Sequence, residues 1–178
     1  ARCSRRGANG DFTVSFKVKL TQNSTGQYRV LAKKGADWTE RGFAIYLGPD
    51  SNELIYALST SSSFNESSSS NQPLVVGDWT HVAFVRRGNQ VELFLNGSQD
   101  SSFTLSGTTS GNNGPVFLGD GPNDADPTAA KFDNFKIHDK ALTASQIGQL
   151  ATGDDPGPDP EPDTDAIVYL KMNNGTGT

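Results

Sequence analysis

Cysteine is almost missing from this chain. Cys3 is the only one among 178 residues, so no internal disulfide and no thiolate-based zinc site can be built. Its neighbours Arg2, Arg5 and Arg6 would lower its pKa, but an unremarkable terminal thiol is the expectation and no role is assigned to it. Long apolar runs are also lacking: nothing approaches the roughly 18 residues of a membrane span, and the N-terminus has no secretory hydrophobic region. No membrane insertion is expected, and any export signal would lie outside this sequence. There are two histidines and no Gly-x-Ser-x-Gly elbow, so a nucleophile with its base is not in view. His81, inside an apolar strand-like run, reads as packing. Paired acids on one alternating strand, the mark of a glycoside hydrolase, are missing too: Glu53 and Glu92 stand alone on separate strands, where a solvated face accounts for them. The chain is expected not to be an enzyme.

An excess of charge of one sign is lacking as well, although the formal net charge is −5. Asp154, Asp155, Asp159, Glu161, Asp163 and Asp165 crowd into one short segment without Lys or Arg. Removing these leaves 14 of the 20 acids against 15 bases. A near-neutral remainder offers no electrostatic footprint for nucleic acid, which is excluded as a partner.

Strand signals dominate what is present. Phe12, Val14, Phe16, Val18 and Leu20 alternate with polar residues, the period of a strand with one face on a core. Further runs cover 28–33, 42–47, 53–58, 79–85, 91–95, 116–118 and 132–137, separated by Gly, Asn, Ser and Asp clusters. Arg86-Arg87-Gly88-Asn89 turns one hairpin, and Asn96-Gly97 supplies the positive-φ pair of a tight turn. The serine-rich segment 59–71 has little to bury and is expected to be a solvated loop, not a strand. Thr143, with Gln146 three residues later and Leu142, Ile147 and Leu150 on one side, predicts a short capped helix ending near Gly153. Many short strands with one helix predict an all-β, two-sheet antiparallel sandwich over 1–152.

At Gly153 the composition changes to alternating Pro, Asp and Gly, which builds no core, and 153–165 reads as a stiff linker. Its thirteen residues reach roughly 40 Å at about 3.1 Å per residue. Beyond it, residues 166–178 open with a strand-like run, Ala166 to Met172. Val168, Leu170 and Met172 share one face, and Ile167, Tyr169 and Lys171 the other. A lone strand is unstable, so this one must pair, in its own chain or with a neighbour. Four Asn-x-Ser/Thr triplets, at Asn23, Asn65, Asn96 and Asn174, are in so Ser- and Asn-rich a sequence best read as chance.

The runs Gly77-Asp-Trp-Thr-His-Val-Ala-Phe84 and Val91-Glu-Leu-Phe-Leu-Asn-Gly97 resemble the central hairpin of laminin-G-like domains in the concanavalin A-like lectin/glucanase superfamily, the group that also holds pentraxins. Phe132-Asp-Asn-Phe-Lys-Ile-His-Asp-Lys-Ala-Leu142 and the segment after it resemble that family's last strand and short helix. The resemblance implies a jelly roll and an extracellular, secreted or cell-surface setting, often with calcium, in carbohydrate binding, adhesion or architectural contact. The family's usual opening strand is expected before Phe12 and is not seen there. A segment of its appearance, Ile167-Val-Tyr-Leu-Lys-Met-Asn173, stands at the other end instead.

Two candidate sites follow. Trp38, with Asp37 and Arg41 beside it, forms an aromatic platform with polar neighbours suited to a sugar; Trp38 covering a sandwich edge is the competing reading. Asp120, Asn123, Asp124 and Asp126, with Asp133 following, collect hard oxygen ligands on a Gly-rich loop as calcium requires, or else shape a turn. A strand acid at the place of Asp133 takes part in the family's calcium site, as the resemblance implies. The expected function is a noncatalytic recognition or adhesion module for a glycan or an extracellular protein. The alternative is a structural repeat or filament subunit that donates Ile167, Val168, Tyr169, Leu170 and Met172 to a neighbouring copy of itself.

Overall fold

Alternation sorts the side chains of β1 (Phe12–Leu20) onto two faces, and those faces define the layers. Phe12, Val14, Phe16, Val18 and Leu20 are buried in the main core, whereas Lys17 and Lys19 on the opposite face are half-exposed. The computed structural model describes residues 10–37, 39–109, 111–121 and 127–153 in full, and the backbone of 166–170. After β1 come β2 (Arg29–Lys34), β3 (Phe43–Leu47), β4 (Leu54–Leu58), β5 (Glu66–Ser69), β6 (Trp79–Arg87), β7 (Gln90–Leu95), β8 (Ser98–Thr104), β9 (Val116–Leu118), β10 (Ala130–His138), helix α1 (Ala144–Thr152) and β11 (Ala166–Leu170). One sheet has the order β11-β10-β1-β6-β7-β8, the other β5-β4-β3-β2-β9. All their pairings are antiparallel.

The inner faces of the two sheets meet in one aromatic-rich core. Phe84 lies 5.7 Å from Phe12, 6.4 Å from Phe43 and 6.1 Å, edge-on, from Tyr56. Phe16 stacks on Phe135 at 6.2 Å. Such ring pairs add to the area they bury, and losing one buried ring costs about 3–5 kcal/mol. A second, smaller cluster forms on the outer face of the six-stranded sheet. There Ala83, Val85 and Phe94 receive Ile147 and Leu150 from α1 and Leu142 from just before its N-cap. Thr143 caps the helix with Gln146 in a reciprocal capping box, and Gly153 closes it at φ 87°, all as the sequence predicts.

The predicted strands are found within one or two residues of their expected ends, and the hairpin turn narrows to Gly88 and Asn89 because β6 continues through Arg87. Asn96 and Gly97 take φ 50° and 85° between β7 and β8. Two expectations need correction. The serine segment 59–71 is not all loop: β5 pairs with β4 from Ile55↔Ser69 to Leu58↔Glu66. Ser98–Thr104, which no sequence pattern marks, is β8, paired with β7. Both lie at sheet edges, where backbone hydrogen bonds suffice and no apolar alternation is required.

Of the linker expected over 153–165, Gly153 caps α1 and the remainder lies outside the described residues. The trailing strand does form: β11 pairs with β10 of the same chain, with Leu170 opposite Phe135 and Val168 opposite Ile137. Those two β10 residues belong to the core. Met172 lies outside the described residues.

Candidate functional site

Trp79 opens β6 with 38% of its surface exposed, unusual for the largest apolar ring in a sandwich. Its position follows from the period of two. Val82 and Phe84 face the main core and Ala83 and Val85 face α1, so Trp79 shares the outer face with His81 and Ala83. It borders an open cleft of about 640 Å³ between the 72–75 and 78–80 segments on one side and the β7–β8 turn on the other. Leu74 and Leu95 line its apolar side, while Gln72, Asp78, Asn96, Ser98, Gln99 and Asp100 supply polar groups. An exposed ring flanked by amides and carboxylates is the chemistry of a carbohydrate subsite.

The walls are held by specific bonds. Gln72 and Asn71 donate backbone N–H groups to the two oxygens of Asp100 at 3.2 and 2.6 Å, and Asn71 Nδ2 donates to the Asp100 carbonyl. The Leu74 N–H reaches Asn52 O at 2.8 Å, and the Gly77 N–H reaches Leu20 O at 3.0 Å. Across the cleft, the His81 N–H donates to Asn96 Oδ1 at 2.9 Å, and the Asn96 N–H returns to His81 O at 2.8 Å. Gly97 follows at φ +85°, and a Cβ there would lie 3.1 Å from Gly148 Cα, so the turn rests directly on α1. A preorganised wall of this kind lowers the ordering cost of binding.

His81 itself faces the covered side. It is 5% exposed, and its Nδ1 has no hydrogen-bond partner among the described residues. Burial, reinforced by Lys17 and Lys136, lowers its pKa to about 4, so at neutral pH it is an uncharged packing residue, as its sequence context implies. Glu92 departs from its expected solvation. It is half-buried, Oε2 has no hydrogen-bond partner among the described residues, and Arg87 Nε stands 3.8 Å away.

The residues expected around Trp38 are spent on the fold, and Trp38 lies outside the described residues. Asp37 Oδ1 accepts from the Thr39 N–H at 2.7 Å, the Thr39 hydroxyl at 2.8 Å and the Glu40 N–H at 3.0 Å. These bonds, the Thr39 hydroxyl foremost, hold its pKa below the usual carboxylate value. Arg41 is 8% exposed. Its Nε donates to the Tyr46 hydroxyl at 3.2 Å, and Nη1 donates to Phe64 O and Asn65 Oδ1. Its guanidinium also lies 5.7 and 5.6 Å from the Tyr46 and Phe64 ring centres.

Of the expected calcium ligands, Asn123, Asp124 and Asp126 lie outside the described residues. Asp120 Oδ1 accepts from the Gly121 N–H and Asp133 Oδ1 from the Asn134 N–H. Asp133 stands opposite Lys17 in the β1–β10 register. Among the described residues no three His, Cys, Asp or Glu side chains gather as a metal site. The sequence marks Trp79 only as the start of a strand and so does not announce the cleft. The usable signal was its place on the outer face after the Gly77-Asp78 turn.

A two-sheet antiparallel sandwich with one helix against its outer face is the architecture of the jelly-roll lectins. Residues 3–148 match the concanavalin A-like lectin/glucanases superfamily, and the chain belongs to that family. No curated protein matches the sequence significantly. Among solved structures, a Bacteroides ovatus protein assigned to carbohydrate binding superposes with a TM-score of 0.70 at 15% identity over 92% of this chain and 45% of its own. The binding domain of botulinum neurotoxin serotype D gives 0.66 at 14% identity over 81% of this chain and 36% of its own. A heptameric SAP-like pentraxin from Limulus polyphemus gives 0.57 at 19% over 79% and 69%. This chain therefore spans less than half the length of the first two.

Proposed function

We propose that the chain is a noncatalytic glycan-binding module of a secreted or cell-surface protein, with a sugar ring stacked on Trp79. One observation carries this reading: the cleft of about 640 Å³ that joins an exposed indole to amide, hydroxyl and carboxylate side chains on walls fixed by the fold. The apolar face of a pyranose fits the ring, and its hydroxyls fit the side chains of Gln72, Asp78, Asn96 and Gln99. The carbohydrate-binding assignment of the Bacteroides ovatus relative supports the same choice.

The absence of catalysis is part of the proposal. Glycoside hydrolysis needs two carboxylates facing the scissile bond. Two line the cleft, Asp78 and Asp100, but both Asp100 oxygens already accept backbone N–H groups.

A glycan array probed with the wild type and Trp79→Ala tests the reading. The expected result is a defined set of bound glycans that the variant loses while its melting curve stays close to wild type. Binding that ignores Trp79→Ala, or release of reducing ends from a bound glycan, contradicts it.

The trailing strand supports a second, structural element of the proposal. Four registered pairs join β11 to β10, which favours closure of its own sandwich over donation to a neighbour. Size-exclusion chromatography of the chain lacking 166–178 tests this: a destabilised or aggregating chain fits closure, whereas loss of polymers formed by the intact chain fits donation.

A further inference from the structure

We propose that the glycan taken by the Trp79 cleft is anionic and that Lys19 and Lys131 hold its sulfate or carboxylate; this rests on the glycan-binding reading above and names its ligand class. In the six-stranded sheet Lys19 stands directly opposite Trp79 on β6 and directly opposite Lys131 on β10. The three side chains therefore form one row across β6, β1 and β10 on the outer face. Trp79 and Lys131 are exposed and Lys19 half-exposed. Trp79 is also a wall of the cleft, so the row continues the cleft onto the sheet surface.

The neighbouring row shows what a lysine here looks like when the fold uses it. Lys17 stands opposite Asp133, and its Nζ lies 3.7 Å from where a Cβ on Gly153 would stand, beside the C-terminal end of α1. Opposite charge across a strand pair and a helix C-terminus both favour an ammonium. Lys19 and Lys131 have neither. No ion pair or hydrogen bond joins either side chain to another described residue, and two like charges directly opposite on a sheet destabilise it. Among the described residues nothing offsets that cost.

An anion bridging the two ammoniums removes the repulsion and adds charge-assisted hydrogen bonds. The pair is too small to track a nucleic-acid backbone, whereas one sulfate or carboxylate on a sugar beside Trp79 matches its extent. Neutral sugars would meet the same ring without the charge pair.

The test is a calorimetric titration with paired probes: a sulfated galactan oligosaccharide and its desulfated form, and an oligogalacturonate and its methyl ester. The wild type is compared with Lys19→Gln/Lys131→Gln. Wild-type affinity for at least one charged probe should exceed that for its neutral form by about tenfold. The double variant should lose that excess, and about 0.5 M salt should erase it through screening. Whether the sulfate or the carboxylate pair shows the excess identifies the anion. The double variant should melt no lower than wild type, since it removes a repulsion. Equal affinity for charged and neutral forms would overturn this inference and leave the glycan reading standing. An excess that survives in the double variant would likewise overturn it. Failure of the wild type to bind any glycan would overturn both.

Discussion

The two ends of the sandwich use polar side chains in opposite ways. At the end built from loops 35–42 and 59–65, they close the loops on themselves. Arg41 ties Tyr46, Phe64 and Asn65 together. Glu66 gathers the Thr60 hydroxyl, the Ser106 N–H and the Ser106 hydroxyl. Partial burial raises the Glu66 pKa, but those hydrogen bonds outweigh it and the net shift is downward. At the other end Asp100 does most of the bracing, and Trp79, Asp78 and Gln99 are left facing solvent. An exposed aromatic ring is present at each end, Phe64 at 57% and Trp79 at 38%. Exposure therefore does not separate them. What separates them is whether the polar groups around the ring are already occupied.

The largest effect that would sharpen this contrast is on stability at the occupied end. Arg41→Ala removes a buried guanidinium and leaves the Tyr46 hydroxyl and Asn65 without that partner, a loss of about 4 kcal/mol in urea unfolding. A loss under about 1 kcal/mol would break the comparison.

Somewhat smaller is the pH effect of His81, which backs the open end. Above pH 6.5 the residue is neutral in both the folded and unfolded chain. As pH falls from 6.5 toward about 4, the unfolded chain takes up a proton that the folded chain refuses, so stability declines by about 3 kcal/mol across that window. Below it both states are protonated and the loss stops growing. Unfolding free energies measured along this range should show the decline, and His81→Gln should flatten it.

The smallest stability effect is expected at Trp79. Trp79→Ala should change unfolding free energy by about 1 kcal/mol or less, because the ring is partly exposed and outside the main core. A loss of several kcal/mol would mark the indole as a packing residue and not a ligand platform.

Legibility in the sequence followed apolar alternation. Phe12 to Leu20 announced β1, and Thr143 with Gln146 announced α1, because burial and capping leave local patterns. The edge strands Glu66–Ser69 and Ser98–Thr104 left none, since their pairing is made by backbone and their side chains are mostly serine and other polar groups. The site was harder for a related reason. Asp37 and Arg41 looked available beside Trp38, but whether a polar side chain is free depends on partners such as Asn65, 24 residues away. The open cleft likewise combines residues from Gln72 to Asp100, brought together only by sheet pairing and the turn at Asn96.

The contrast between the ends is tested most directly by titrating one bound glycan into the wild type, Trp79→Ala and Phe64→Ala by calorimetry, with melting curves recorded alongside. Trp79→Ala should abolish measurable binding at a near-native melting temperature while Phe64→Ala binds as wild type does; loss of binding in Phe64→Ala with binding retained in Trp79→Ala would place the site at the other end and contradict the assignment.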